Sequence, residues 1–140
     1  MKRLLPFLLV PLFACSDPVI VDPVVSPISG AWSLSLSVTG SGVTCTFSGA
    51  PMRLSESGGS FSGTYGPTEL FCDGTSQGSV SGKVVNGVLN GSNVIYDLDE
   101  AAYHQTGTIN GASMSGSAVW SGSSNGTTVL FNGTWSATKQ

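Results

Sequence analysis

Residues 114–137 read MSGSAVWSGSSNGTTVLFNGTWSA. A two-residue turn at Asn125-Gly126 sets Trp120 opposite Phe131, Ala118 opposite Gly133 and Gly116 opposite Trp135. Asn-Gly is the strongest short hairpin signal, because both central residues of a type I′ turn need positive φ. Each of these pairs lies on the apolar face, and large side chains meet small ones. A slip of one residue would carry the whole apolar set to the other face. The stretch therefore predicts an antiparallel hairpin with one buried face and one Ser/Thr face.

The same pattern extends toward the N-terminus. A turn at Glu100-Ala101 sets Leu98 opposite Tyr103, and one at Asn110-Gly111 sets Ile109 opposite Ala112, Gly107 opposite Met114 and Tyr103 opposite Ala118. Trp32, Leu34, Leu36 and Val38 alternate with Ser and Thr, as do Val43, Cys45 and Phe47, and then Phe61, Gly63 and Tyr65. Val94, Tyr96 and Leu98 continue the period of two. Gly40-Ser41-Gly42 and Gly58-Gly59 mark further turns. Asn86-Gly87 and Asn90-Gly91 are too close for both to be ordinary hairpins. Asn132-Gly133 lies within a strand, where it predicts a bulge or a close backbone approach. Gly49-Ala50-Pro51 moves the apolar parity from Phe47 to Met52 and predicts a bulge or strand break.

These signals place strands at about 31–39, 43–48, 52–56, 60–65, 69–73, 79–85, 93–99, 102–109, 112–121 and 127–138, some being parts of one bent strand. The fold class is all-β: an antiparallel up-and-down meander of about eight or nine strands. Closing it into a small barrel removes its edges; a flattened barrel or sandwich is the alternative.

Composition agrees. The 140 residues include 19 Gly and only 9% charged residues. Gly, Ser and Thr are poor helix formers, which excludes a helical protein. Hydrophobic residues reach 40% and the net charge is −3, which excludes plain disorder. Five Lys and Arg argue against a nucleic-acid partner.

The chain begins with Met1-Lys2-Arg3, followed by an almost wholly apolar Leu4 to Phe13. That run is too short for a membrane-spanning helix, which needs ~20 apolar residues. A basic start before a short apolar run predicts an export signal over residues 1–14. Leu12-Phe13-Ala14-Cys15 resembles the lipobox of bacterial lipoproteins. The resemblance implies cleavage before Cys15, acylation of Cys15 and a partner that is the membrane itself, since several acyl chains make a stable anchor. Ser16 stands where aspartate tends to hold such proteins at the inner membrane, so the expected location is the cell envelope, at the outer membrane. Residues 15–29 carry Pro18, Pro23 and Pro27 and predict an extended, exposed tether. Residues 30–140 form the barrel domain.

Gly30-Ala31-Trp32 at the start of the first strand resembles the Gly-x-Trp opening of lipocalins and other calycin barrels, and Gly63-Thr64-Tyr65 with the late Trp135 is similar to avidin-like chains. The biotin-binding residues of that group have no counterpart here. The resemblance therefore implies a fold, not a ligand. It extends to small Gly/Ser/Thr-rich bacterial lipoproteins of unknown function.

Cys45 and Cys72 remain once Cys15 is acylated. In an exported chain they predict a disulfide. The simple register through the Gly58-Gly59 turn is expected to put Cys72 near Gly63 and Leu54, away from Cys45. His104, the sole histidine, is expected opposite Asp97 on the polar face. With Asp99 and Glu100 these residues could form a small metal site, but the spacing is no ligand motif and a solvated cross-strand pair is the expected reading. No metal, cofactor or catalytic residue is expected, and no serine sits in Gly-x-Ser-x-Gly. Trp32, Phe47, Phe61, Tyr65, Tyr96, Tyr103, Trp120, Phe131 and Trp135 are the candidate ligand-lining residues. An eight-strand barrel is either filled by such side chains or holds one small ligand; the filled core is preferred, since no polar anchor is expected to point inward. Strands shorter than the ~9–11 residues a membrane barrel needs argue against a transmembrane one. Asn90, Asn125 and Asn132 fit the glycosylation sequon and are read as turns.

The expected protein is a monomeric, non-enzymatic, lipid-anchored envelope barrel that binds a small hydrophobic ligand or an envelope partner. A structural lipoprotein with a solid core is the alternative. An enzyme using the Asp97–His104 turn is third.

Overall fold

A computed structural model of the protein describes residues 26–140. The expected signal sequence, Cys15 and most of the expected tether lie outside the described residues.

Eight strands follow in order: β1 (Gly30–Gly40), β2 (Val43–Ser57), β3 (Ser60–Cys72), β4 (Thr75–Asn90), β5 (Asn93–Leu98), β6 (Tyr103–Asn110), β7 (Ser113–Ser124) and β8 (Thr127–Lys139). Each pairs antiparallel with the next, and β8 pairs with β1, giving a closed barrel. Closure leaves every strand with two partners, so the edges disappear. The sandwich alternative is not what forms.

The segments at 43–48 and 52–56 are one strand, as are those at 60–65 and 69–73. Both strands change inward parity at the same level, β2 between Phe47 and Ala50 and β3 between Tyr65 and Leu70. Gly49 (φ 69°) and Gly66 (φ 83°) supply the left-handed backbone that these irregularities need. Because both strands shift together, their mutual register holds from Ser57–Ser60 to Cys45–Cys72. The two cysteines therefore stand directly opposite each other, with Cα atoms 4.0 Å apart, and are disulfide-bonded. The expectation that the Gly58-Gly59 register separates them is corrected: continuing that register one for one brings them together.

The hairpin at Asn125-Gly126 pairs Trp120 with Phe131, Ala118 with Gly133 and Gly116 with Trp135, as the sequence predicts. Both turn residues have positive φ. The β5–β6 register also agrees, with Asp97 opposite His104. The β6–β7 register does not. Asn110 pairs with Ser113, so Gly111-Ala112 is the turn, and Ile109 faces Met114 rather than Ala112. Only Gly111 has positive φ there, the pattern of a type II′ turn with Gly first. Moving the turn by one residue shifts each pair by two, which keeps the same face inward. It also sets two large apolar side chains, Ile109 and Met114, together in the core. Asn90-Gly91-Ser92-Asn93 follows the same rule. Asn86-Gly87 is instead a bulge within β4, between Val85 and Val88. Gly133 causes no register shift; its bare Cα lets Ser37 of β1 approach closely.

The core comprises inward side chains from every strand, including Trp32, Leu34 and Leu36 of β1, Met52 of β2, Phe61 of β3, Val84 of β4, Tyr96 and Leu98 of β5, Met114 of β7 and Trp135 of β8. The interior is filled. Aromatic contacts run through it: Phe61 to Tyr96 at 5.9 Å and Tyr96 to Trp135 edge-on at 5.1 Å. The Trp135 indole N–H reaches over β7 to donate to the Thr106 carbonyl at 3.1 Å, above the small Gly116 that pairs with it. One polar side chain shares this interior. Gln105 is fully buried and faces Tyr96 across β5–β6, which corrects the expectation of a purely apolar inner face.

Strand length does not exclude a membrane barrel, since β1, β2, β3, β4, β7 and β8 run 11 to 16 residues. The sidedness carries more weight. The apolar residues are inside, and the outer face is largely Ser, Thr and Asn rather than the apolar band of a transmembrane barrel.

Candidate functional site: a cleft at one end of the barrel

Alternating strand direction sorts the turns to two ends. The N-terminal segment, the C-terminus and the turns at 58–59, 91–92 and 111–112 share one end. The turns at 41–42, 73–74, 99–102 and 125–126 share the other.

The first end is sealed. Ile28 is fully buried, and its carbonyl accepts a 2.8 Å hydrogen bond from the Trp32 indole. Lys139 Nζ donates to the Pro27 carbonyl at 3.0 Å and lies 5.4 Å from the centre of the Trp32 ring. The core thus extends into residues read from the sequence as exposed tether.

The other end has an uneven rim. The β3–β4 hairpin continues to Cys72–Thr75 and the β7–β8 hairpin to Ser124–Thr127. Between them β4 pairs with β5 only as far as Val84–Leu98, and β6 pairs with β7 only as far as Tyr103–Trp120. The β5–β6 connection is therefore a low point between two tall hairpins. Over it opens a cleft of about 410 Å³, lined by Phe47, Tyr65, Leu70, Ser79, Val80, Ser81, Leu98, Asp99, Tyr103 and Trp120. That volume falls within the range of small-ligand sites, ~300–1,000 Å³.

Asp99 is the polar centre of this cleft. It follows Leu98 in a left-handed conformation (φ 65°), which Asp tolerates better than most residues. Its Oδ2 accepts from the Tyr65 hydroxyl at 2.7 Å and its Oδ1 from the Lys83 backbone N–H at 2.8 Å. Its own N–H donates to the Lys83 carbonyl at 2.7 Å. The carboxylate rests against Gly82, where any Cβ would collide with it. Two strands, β3 and β4, thus fix one carboxylate carried on the β5–β6 connection. Burial first, then the hydrogen bond and charge of Asp99 and the neighbouring Tyr103, hold the Tyr65 phenol well above the ordinary tyrosine range, so it remains a donor. Tyr103 and Trp120 meet edge to face at 5.2 Å, and Phe47 stacks on Tyr65 at 6.4 Å. No Lys, Arg or His lines the cleft.

Of the nine aromatic candidates, Phe47, Tyr65, Tyr103 and Trp120 meet at this cleft. Trp32, Phe61, Tyr96 and Trp135 fill the interior, and Phe131 is half-buried against the core. Leu70, Ser79, Val80 and Ser81 are cleft residues that the sequence does not single out, and Asp99 stands out there only within the possible metal group of Asp97, Glu100 and His104. Their placement depends on how far each hairpin extends, which the turn motifs alone do not fix.

The acidic group around His104 separates. Asp97 faces the outer wall, where its Oδ1 lies 2.6 Å from His104 Nδ1 and its Oδ2 accepts from the Asn86 amide at 2.8 Å. Asp97 is only 5% exposed, while the His104 side chain is 44% exposed. The pair is therefore not the solvated contact the sequence suggests: Asn86, held at positive φ in the β4 bulge, helps to cover the carboxylate. Asp99 turns instead to Tyr65 and Lys83. No group of three or more His, Cys, Asp or Glu placed to hold a metal ion is found among the described residues.

No family model, no curated protein and no solved structure matches the chain.

Proposed function

We propose that this protein is a non-enzymatic, lipid-anchored barrel of the bacterial cell envelope that binds a small molecule in the cleft at its open end. The observation that carries the reading is the cleft of about 410 Å³ above a filled core, with its polar centre held by two adjacent strands. A carboxylate fixed in a concave site among aromatic and aliphatic side chains matches the usual composition of a ligand pocket, in which few polar groups orient an apolar body. The anchor adds a direction. Residues 26–29 join the sealed end, so a lipid on Cys15 would leave the cleft facing away from the membrane. An acidic body on such an anchor stands off an anionic surface, and the outer membrane is the proposed location.

Native mass spectrometry of the mature chain, purified from an oxidising compartment, tests the ligand reading. A small-molecule adduct that is lost on denaturation supports it. A bare monomer under conditions that retain known non-covalent ligands contradicts it. Cys15→Ser should release the protein from membranes; retention would contradict the anchor. The filled interior favours a second reading, a structural lipoprotein without a small ligand, and a bare monomer would leave that one standing.

A further inference from the structure

We infer that the open-end cleft takes a small organic cation, an ammonium group carried on an apolar body. The inference rests on the reading that the cleft binds a small molecule and names the class. Four aromatic rings, of Phe47, Tyr65, Tyr103 and Trp120, line the space together with the Asp99 carboxylate. Ring faces carry negative quadrupole density and attract cations, and several rings around one site recognise alkylated ammonium groups. The Asp99 carboxylate adds a full negative charge, and no lining side chain balances it.

The two hydrogen bonds that fix this carboxylate, from Tyr65 and from the Lys83 backbone, are neutral donors. They orient the charge without cancelling it. An anionic ligand would meet uncompensated repulsion. A neutral apolar ligand would strip water from the carboxylate and return no partner. A cation does neither, because it replaces the lost hydration with an ion pair and ring faces. The acidic chain, at net charge −3, adds attraction at longer range.

Calorimetric titration of the full chain, anchor intact and in a non-ionic detergent, tests the class with a matched pair. The cationic probe is acetylcholine, and the neutral one is 3,3-dimethylbutyl acetate, in which carbon replaces the ammonium nitrogen. The inference predicts that the cation binds about tenfold more tightly or better. Asp99→Asn should abolish that preference and leave the neutral ester within about twofold of wild type, since Asn keeps the shape and tolerates the left-handed backbone. Tyr103→Leu, which keeps the carboxylate and removes one ring, should weaken the cation severalfold and the ester little. If the ester binds as tightly as the cation, the inference falls and the small-molecule reading stands. If methyl glucoside binds and the cation does not, the cleft is a saccharide site and the inference falls. If none of the three binds to a protein whose melting curve is intact, the inference and the small-molecule reading fall together.

Discussion

The two ends of the barrel are built from the same alternation of apolar residues with serine and threonine, yet they finish differently. At the sealed end the chain's own terminal regions close the core: Ile28 packs inside, Trp32 donates to its carbonyl, and Lys139 and Gln140 tie the last residues to Pro27 and Ala31. At the open end no segment among the described residues lies across the barrel. Two long hairpins rise beside the short β5–β6 connection, and aromatic side chains with one carboxylate line the gap. Hairpin length, rather than a change in residue pattern, gives a filled barrel a cleft at one end. A meander whose hairpins were of equal height would leave no such cleft.

This contrast can be broken most severely at the sealed end. Trp32→Ala removes a side chain 1% exposed and should cost about 3–5 kcal/mol in urea unfolding. Trp120→Ala, at the half-buried rim, should cost clearly less; equal losses would deny the asymmetry. Removing the open-end disulfide with Cys45→Ala and Cys72→Ala should cost about 3–4 kcal/mol, from the loop entropy of 27 residues of separation. Ile28→Ala should cost about 2–4 kcal/mol if the segment before β1 belongs to the core, and almost nothing if it is only tether. The smallest effect concerns Glu56. The Ser26 hydroxyl, and then the Gly59 backbone N–H, hold its carboxyl below the ordinary range. A lowered folded-state pKa gives stability that is present above the unfolded value and lost as pH falls through the folded one. Glu56→Gln should slightly flatten the acid limb of the stability–pH profile, measured by melting at a series of pH values.

Much of this architecture was legible because alternation and turn chemistry report on the same face. Trp120 opposite Phe131 followed from Asn125-Gly126, whose two residues both take positive φ. Asn110-Gly111 carried the same letters and a different turn, since a glycine can be the second residue of a type I′ turn or the first of a type II′ turn. Packing of Ile109 on Met114 distinguishes the two, and that contact is tertiary. Asp73-Gly74, with both residues at positive φ, closes the β3–β4 hairpin and sets its height. Gln105 shares the parity of Tyr103 and Ile109, so alternation alone would have placed it inside. The cleft was less legible. Tyr65, Tyr103 and Trp120 stood out as aromatic, but Asp99 resembled any acidic turn residue until its left-handed backbone turned the carboxylate toward Tyr65 and onto Gly82.

Ligand occupancy at one end only can be read from the three indole N–H groups. Their resonances should be followed by two-dimensional NMR while acetylcholine, and separately its neutral ester, is added. Trp32 bonds to Ile28 at the sealed end, Trp135 bonds to Thr106 in the interior, and Trp120 lines the cleft. Binding at the open end should shift the Trp120 signal saturably while those of Trp32 and Trp135 stay in place. A shift at Trp32 with Trp120 unmoved would contradict it.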